Sequence, residues 1–202
     1  MIAVIDYGVG NLFSLRASLR HIGAESTVTA DPDEIRSADR IILPGVGAFG
    51  DSYCKLEKTG LVQVIKEEAS RGKPMLGICL GMQLLFSESL EYGVHKGLGL
   101  IDGRVVPMAD ELPGGLKVPH MGWNNLKILK KSGIFKYISD GDSVYYVHSF
   151  YAKCDPKYIS AVSEYGIDIT GAVERENIFG TQFHPEKSGE TGLDILRAFS
   201  EI

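Results

Sequence analysis

The sequence contains few of the residues that hold small secreted proteins together. Its 202 residues include only three cysteines, Cys54, Cys79 and Cys154, with no C-x-x-C spacing. An odd, scattered set of this kind argues against a disulfide framework and favours a reducing compartment. A chain of this length buries about 70% of its unfolded surface, so it folds without disulfides or metal. We therefore expect a cytoplasmic protein made of a single domain, residues 1–202.

Long hydrophobic runs and basic runs are also missing. No apolar stretch approaches the ~18 residues of a membrane span, and the N-terminal MIAVIDYG has no basic segment typical of a signal peptide. The formal net charge is −5. Because counterion release on nucleic acid requires a basic face, these absences argue against a nucleic-acid or membrane partner.

Motifs for metals and nucleotide cofactors are absent as well. The sequence has no H-E-x-x-H, P-loop or EF-hand pattern. Residues 45–50, GVGAFG, match G-x-G-x-x-G, but they follow the third predicted strand, and the next strand leads to Cys79 instead of an acidic residue. We expect no metal and no cofactor. A dinucleotide-binding module is the alternative, and it predicts thermal stabilisation by NAD.

Strands and helices alternate in the first 90 residues. Hydrophobic periodicity and capping residues predict strands at 2–5, 25–29, 40–44 and 73–78, and helices at 12–22, 31–38 and 61–72. This alternation predicts a parallel sheet with helices on both faces. From about residue 98, short runs between Gly, Pro, Asp and Asn predict antiparallel strands and hairpins, and residues 189–202 predict a closing helix. The expected class is α/β, with a mixed, mainly parallel central sheet.

The segment GICLGMQLL, residues 77–85, places Cys79 between two glycines, after a predicted strand and before a predicted helix. Free N–H groups and the dipole at a helix start favour an anion such as a thiolate. Glycines suit a cramped turn in which a Cβ would clash. This arrangement is the cysteine counterpart of the G-x-S-x-G nucleophile elbow, and it predicts that Cys79 is a nucleophile. The alternative is a small hydrophobic core residue.

The segment TQFHPEKS, residues 181–188, contains a candidate base and a group to orient it. His184 and Glu186 are two residues apart, so in an extended chain their side chains point the same way. Glu186 would then hold one imidazole nitrogen while the other faces Cys79. Pro185 cannot donate to a sheet, so we expect the strand to end there. The alternative is an incidental His and Glu on a surface strand.

Other candidate groups are expected close to Cys79. An oxyanion needs N–H donors: Leu80 follows the nucleophile, and the glycine-rich loop PGVGAFGD exposes the N–H of Val46 or Gly47. Gln83 lies one helical turn after Cys79, where it is either a substrate contact or a capping or solvated residue.

Two aromatic segments carry weaker signals. The only tryptophan, Trp123, lies in PHMGWN, residues 119–124, and fits either a core or an interface. His148, in YYVHSFY, fits a structural histidine better than a substrate contact. No role is predicted for His21, His95 or the other two cysteines.

The Cys79 elbow and FHPEKS together resemble the class I (triad) glutamine amidotransferases. The segments IDYGVGNLFSL, PGVGAFGD and PHMGWN are similar to the subfamily that serves a cyclase in histidine biosynthesis. The resemblance implies a flavodoxin-like, three-layer α/β/α domain. It also implies that Cys79 attacks the glutamine carboxamide, that His184 moves the proton, and that Glu186 orients His184. Glutamine would be held by Gln83 and by the main chain at His148, Ser149 and Phe150.

The resemblance further implies a partner, a (β/α)₈-barrel cyclase subunit that forms a heterodimer with this chain and receives the ammonia. A backbone flip of PGVG would complete the oxyanion hole. The implied contacts with the partner are Asn11, Trp123, Asn124, Tyr145 and Lys187. The alternatives are a glutaminase subunit for anthranilate, pyridoxal phosphate or guanylate synthesis, and a redox or stress protein with a similar elbow.

Overall fold

The computed structural model describes residues 1–202 and contains fourteen strands and six α-helices. The strands are β1 (Ile2–Ile5), β2 (Ser26–Thr29), β3 (Arg40–Leu43), β4 (Met75–Ile78), β5 (Phe86–Ser89), β6 (His95–Lys96), β7 (Ile101–Pro107), β8 (His120–Asn125), β9 (Lys127–Ile128), β10 (Ser143–His148), β11 (Phe150–Cys154), β12 (Ile159–Glu164), β13 (Asp168–Arg175) and β14 (Ile178–Thr181). The helices are α1 (Leu12–His21), α2 (Pro32–Ser37), α3 (Phe49–Lys58), α4 (Leu61–Ser70), α5 (Leu80–Leu84) and α6 (Gly189–Ser200).

The central sheet has eight strands in the order β2-β1-β3-β4-β14-β13-β12-β9. The first five of these run parallel, and the pairs beyond β14 are antiparallel. The predicted mixed sheet is therefore confirmed. Two smaller sheets flank it: a ribbon of β8 and β10, and a sheet in the order β11-β7-β5-β6.

Strand β14 refines the expectation for the second half of the chain. It is antiparallel to β13, as predicted, but it is parallel to β4, with Thr181 opposite Ile78. Because neighbouring parallel strands end at the same edge of a sheet, the segments that follow β4 and β14 meet there. This pairing brings residues after 181 next to Cys79.

Hydrophobic cores lie on both faces of the central sheet. Along β1, Ala3 and Ile5 face one core while Ile2 and Val4 face the other. The helices α2, α3 and α4 pack on the first side, and α1 and α6 on the second. The predicted covering of both faces is confirmed. No helix has the length and apolar character needed to cross a membrane.

Helix α3 was not predicted from the sequence, because it begins inside the glycine-rich segment PGVGAFGD. Glycine is unfavourable in a helix interior, and the N-cap residue, Ala48, has no side chain that caps. The cap comes from far along the chain: the carboxylate of Glu91 accepts a hydrogen bond of 2.6 Å from the N–H of Phe49. Local sequence carries no signal for such a cap.

Candidate active site

Cys79 lies on a strained turn between β4 and α5. Its φ is +54°, a conformation that residues other than glycine rarely adopt and that is found most often at functional sites. A Cβ at Gly77 would lie 2.7 Å from the backbone of Met82, and a Cβ at Gly81 would collide with the carbonyl oxygen of Leu43. Both glycines of the predicted elbow are therefore required sterically.

His184 and Glu186 form a buried pair. The imidazole Nδ1 lies 2.9 Å from Oε1 of Glu186, and each side chain is 3% exposed. The predicted extended geometry is wrong, however, because β14 ends at Thr181 and Glu186 lies in a single 3₁₀ turn, Pro185–Lys187. Only this turn brings the carboxylate back to the imidazole.

The environment of His184 favours its charged form. Burial by itself lowers the pKa of His184, but the interactions with Cys79 and Glu186 outweigh burial and raise the pKa to about 10. Near neutral pH the proton therefore stays on the imidazole. A cationic imidazole at this position can act as a general acid.

A cavity of about 350 Å³ joins the predicted groups. This volume is within the usual range for small-molecule sites. Its lining includes the predicted nucleophile, the predicted base and every predicted oxyanion and substrate residue: Cys79, His184, Val46, Gly47, Leu80, Gln83, His148, Ser149 and Phe150. Glu91, Tyr92, Pro119 and Val147 complete the lining. Groups that come from separate halves of the sequence thus share one cavity.

Several amide groups along this cavity are free to bind substrate. The N–H groups of Val46, Gly47 and Ser149 have no acceptor within the chain. Leu80 is the first residue of α5, and first-turn N–H groups have no partner inside their helix. The carbonyl of Pro44, at the start of the glycine-rich loop, accepts a hydrogen bond of 2.7 Å from the Tyr7 hydroxyl.

Gln83 is buried, so the alternative of a solvated glutamine is wrong. Its Nε2 donates to the carbonyl of Phe150 at 3.1 Å and to Oε1 of Gln182 at 3.0 Å. Nε2 of Gln182 lies 3.8 Å from the sulfur of Cys79. Gln182 was not predicted as a site residue, although it is two residues from His184 in the same motif.

His148 is a buried histidine whose two ring nitrogens both have partners within the chain. Nδ1 lies 2.8 Å from the Phe150 carbonyl, and Nε2 lies 3.0 Å from Nδ1 of His120. Burial lowers the pKa of His148 to about 3 and that of His120 to about 4. Both rings are therefore neutral near pH 7. His120 and Glu91 are two further residues that sequence patterns did not single out.

Three of the five predicted interface residues form one exposed cluster. The ring of Trp123, which is 59% exposed, packs edge-on against Tyr145 at 6.0 Å between centroids. The ammonium of Lys187 lies 5.9 Å from the centre of the Tyr145 ring. Asn11 caps α1 by accepting from the N–H of Ser14 at 3.4 Å. Asn124 has its side chain on the opposite face of β8 from Trp123 and bonds within the chain.

The described residues contain no cluster of three or more His, Cys, Asp or Glu side chains arranged to hold a metal ion. All three cysteines are free thiols, and only Cys79 is buried.

The chain belongs to the class-I glutamine amidotransferase family, whose model matches residues 3–201. Solved structures with the same fold include a glutamine amidotransferase, with a TM-score of 0.77 at 15% identity and full coverage of both chains. Another is PurLQS from Thermotoga maritima, with a TM-score of 0.75 at 21% identity, covering 98% of this chain and 96% of the other. At these identities the likeness shows the fold alone.

Within this family the chain belongs to the HisH group, the glutaminase subunits of imidazole glycerol phosphate synthase in histidine biosynthesis. It is 50% identical over 203 residues to the HisH subunit of Caldanaerobacter subterraneus subsp. tengcongensis, covering 100% of this chain and 98% of that one. The HisH subunit of Geobacter metallireducens is 49% identical over 203 residues, covering 98% and 97%. The predicted glutaminase function is therefore confirmed.

Proposed function

We propose that the chain hydrolyses L-glutamine in the cavity beside α5, through Cys79, His184 and Glu186. The observation that carries this proposal is the meeting of a strained cysteine elbow and a buried His–Glu pair in one cavity. We also propose that residues 1–202 act as a single domain in the cytoplasm, where free thiols stay reduced.

The reaction has two stages. The Cys79 thiolate attacks the carboxamide carbon, the C–N bond breaks, and the imidazolium of His184 gives its proton to the leaving ammonia. Water, deprotonated by His184, then attacks the glutamyl thioester; glutamate leaves and the thiolate is restored. Glu186 holds the imidazole in place and stabilises its charged form throughout.

The oxyanion of each tetrahedral intermediate needs donors that are already in position. Leu80 supplies one N–H, and the loop carrying Val46 and Gly47 supplies the second through a backbone flip. Two contacts hold the ends of that loop: Tyr7 on Pro44, and Glu91 on the N–H of Phe49. Losing one such donor typically costs a factor of ~10²–10³ in rate.

We assign substrate binding to Ser149 and Gln83, which also line the cavity. The free N–H of Ser149, between His148 and Phe150, suits the carboxylate of the amino-acid end of glutamine. The side chain of Gln83, held by Phe150 and Gln182, presents its remaining polar atom to the same cavity.

The partner we propose is the (β/α)₈-barrel cyclase subunit of imidazole glycerol phosphate synthase, in a heterodimer. It would use the ammonia to form imidazole glycerol phosphate and AICAR from a phosphoribulosyl-formimino aminoimidazole carboxamide nucleotide. Ammonia is protonated quickly in water, so direct transfer preserves its nucleophilicity. The exposed cluster of Trp123, Tyr145 and Lys187, together with the α1 start at Asn11, is the proposed docking surface. Asn124, whose side chain lies on the other face of β8, is left out of it.

Glutamate release measured with and without the co-purified cyclase subunit tests this function. We expect release to be fast in the complex when the nucleotide acceptor is present, and unaffected by the synthase partners of anthranilate or guanylate synthesis. Activation by one of those other partners would contradict the assignment of the partner. Absence of glutamate release from every complex, with ready sulfenic acid formation at Cys79, would favour a redox protein.

Trp123→Ala should weaken binding of the cyclase subunit by at least about 30-fold, since central aromatic anchors are typical hot spots. The ring is exposed in the free chain, so its removal should leave thermal stability nearly unchanged. The control is Leu129→Ala, which removes another exposed side chain, 51% accessible, just after the edge strand β9 and outside the proposed docking surface. Titration calorimetry measures both affinities; equal affinities would place the interface elsewhere.

A further inference from the structure

Asn124, His120 and His148 form a continuous chain of hydrogen bonds whose direction is determined at both ends. At one end, Oδ1 of Asn124 accepts from the N–H of Asn125 at 2.8 Å, and Nδ2 donates to the carbonyl of Glu164 at 2.9 Å. The amide therefore has only one possible orientation. Its Nδ2, which is a donor, faces Nε2 of His120 at 3.3 Å, so Nε2 must be the acceptor.

At the other end lies the carbonyl oxygen of Phe150, which can only accept. Nδ1 of His148, 2.8 Å away, must therefore carry a proton. The two rings meet in the middle, where Nδ1 of His120 lies 3.0 Å from Nε2 of His148. If each ring carries its single proton on Nδ1, every contact pairs a donor with an acceptor. No other pair of neutral tautomers satisfies both ends.

The surroundings support two neutral rings. The ring of His120 is stacked between those of Tyr146, at 4.6 Å, and Tyr165, at 4.1 Å. Both histidines are buried, and burial lowers the pKa of each well below neutral pH. The two tyrosine rings fix the plane of the His120 ring, and its contacts with Asn124 and His148 fix which way the ring is turned within that plane.

The hydrogen bonds that begin at Asn124 end at Phe150, in the backbone segment 148–150 that lines the cavity. The carbonyl of Phe150 accepts from Nδ1 of His148 and from Nε2 of Gln83, and the carbonyl of Ser149 accepts from the N–H of Met108 at 3.0 Å. Both carbonyls are thus held by the protein, while the N–H of Ser149 has no acceptor.

We propose that Asn124, His120 and His148 are positioning residues whose one-way chain of hydrogen bonds holds the 148–150 main chain in the conformation that binds glutamine. This inference rests on the proposed function, because it assigns the free N–H of Ser149 to the substrate. The residues act through Phe150 and do not touch the reacting atoms. Their loss should therefore impair binding in the ground state and the transition state alike, which raises KM and leaves kcat nearly unchanged.

Two substitutions at His148 separate positioning from packing. His148→Phe keeps the ring volume but removes the donor to Phe150. His148→Asn loses volume but keeps an N–H donor at the place of Nδ1. We expect KM for glutamine in the cyclase complex to rise about tenfold in His148→Phe, the usual scale for one lost hydrogen bond to a buried group. We expect KM to stay within about threefold of wild type in His148→Asn, with kcat within about threefold in both. A role in packing alone predicts the reverse order, and that order would overturn the proposal.

At His120 we expect the same order: KM for glutamine should rise more in His120→Phe than in His120→Asn. The control is His21→Phe, on the exposed surface of α1. An activity-independent readout is the ¹⁵N spectrum of histidine-labelled chain, which should show His120 and His148 each protonated at Nδ1 only. A proton on Nε2 of either ring would contradict the proposed direction of the hydrogen bonds. If the wild-type complex releases no glutamate, the proposed function fails. The ¹⁵N spectrum still tests the direction of the hydrogen bonds, because it does not depend on activity.

Discussion

The Cys79→Ala variant of the complex should lose glutamine-dependent synthesis by a factor on the order of 10⁴ or more, yet retain synthesis from added ammonia. Without the sulfur no thioester forms, and water held at the same place is a far weaker nucleophile. Under the proposed function the acceptor site lies on the cyclase subunit, so free ammonia should bypass the lost step. Measuring glutamate release and product formation, with glutamine and with ammonium salts, tests both the expected loss and the expected retention of synthesis.

Cys54→Ala is the matched control, because Cys54 is an exposed free thiol on α3, outside the cavity. It should behave as wild type with either nitrogen source. Continued glutamine hydrolysis by Cys79→Ala would show that another group is the nucleophile. Loss of the ammonia-dependent reaction as well would show that the substitution damages the complex and not one chemical step.

Gly81→Ala should destabilise the chain by at least about 2–3 kcal/mol, although alanine is normally the better helix residue by roughly 1 kcal/mol. The added Cβ would collide with the carbonyl oxygen of Leu43, a backbone atom that cannot rotate away. Relief requires α5 and β3 to separate. That movement shifts Cys79 away from the loop carrying Val46 and Gly47, so glutaminase activity should fall as well.

Urea denaturation measures this effect. The control is Gly114→Ala, where the added Cβ meets no atom within 4 Å and the backbone is not in the left-handed region. Gly114→Ala should be neutral or slightly stabilising. If Gly81→Ala stabilised the chain as an ordinary helix substitution does, the close contact of α5 with β3 would be wrong.

The local parts of the site were predictable because their causes are local. A strand, a glycine, a cysteine and a second glycine leading into a helix specify a turn through neighbouring residues alone, and the turn at Cys79 has that form. A short run of apolar, β-forming residues likewise predicted β1, and the alternation of strands with helices predicted helices on both sheet faces. The sequence predicted that His184 pairs with Glu186, and the two side chains do pair. The predicted reason was wrong, because a 3₁₀ turn and not an extended strand joins them.

Other features depend on segments that are distant along the chain. The N-cap of α3 comes from Glu91. The hydrogen bonds from Asn124 to Phe150 link β8, β10 and β11, and Gln83 on α5 donates to Gln182, which follows β14. Each requires the register between strands to be known. A pattern read along one segment contains no information on which segment lies beside it.

The sequence by itself determined the candidate nucleophile Cys79, the turn that presents it, and the alternating architecture, because steric clash and hydrophobic burial act between near neighbours. Only the tertiary structure decided which groups surround that cysteine. The parallel pairing of β14 with β4 brings His184 to it, and the register of β8 with β10, His120 opposite His148, aligns the two rings. The physical reason is that hydrogen bonds between strands fix the register, and with it which side chains lie opposite each other, and those bonds form only when the sheet is assembled.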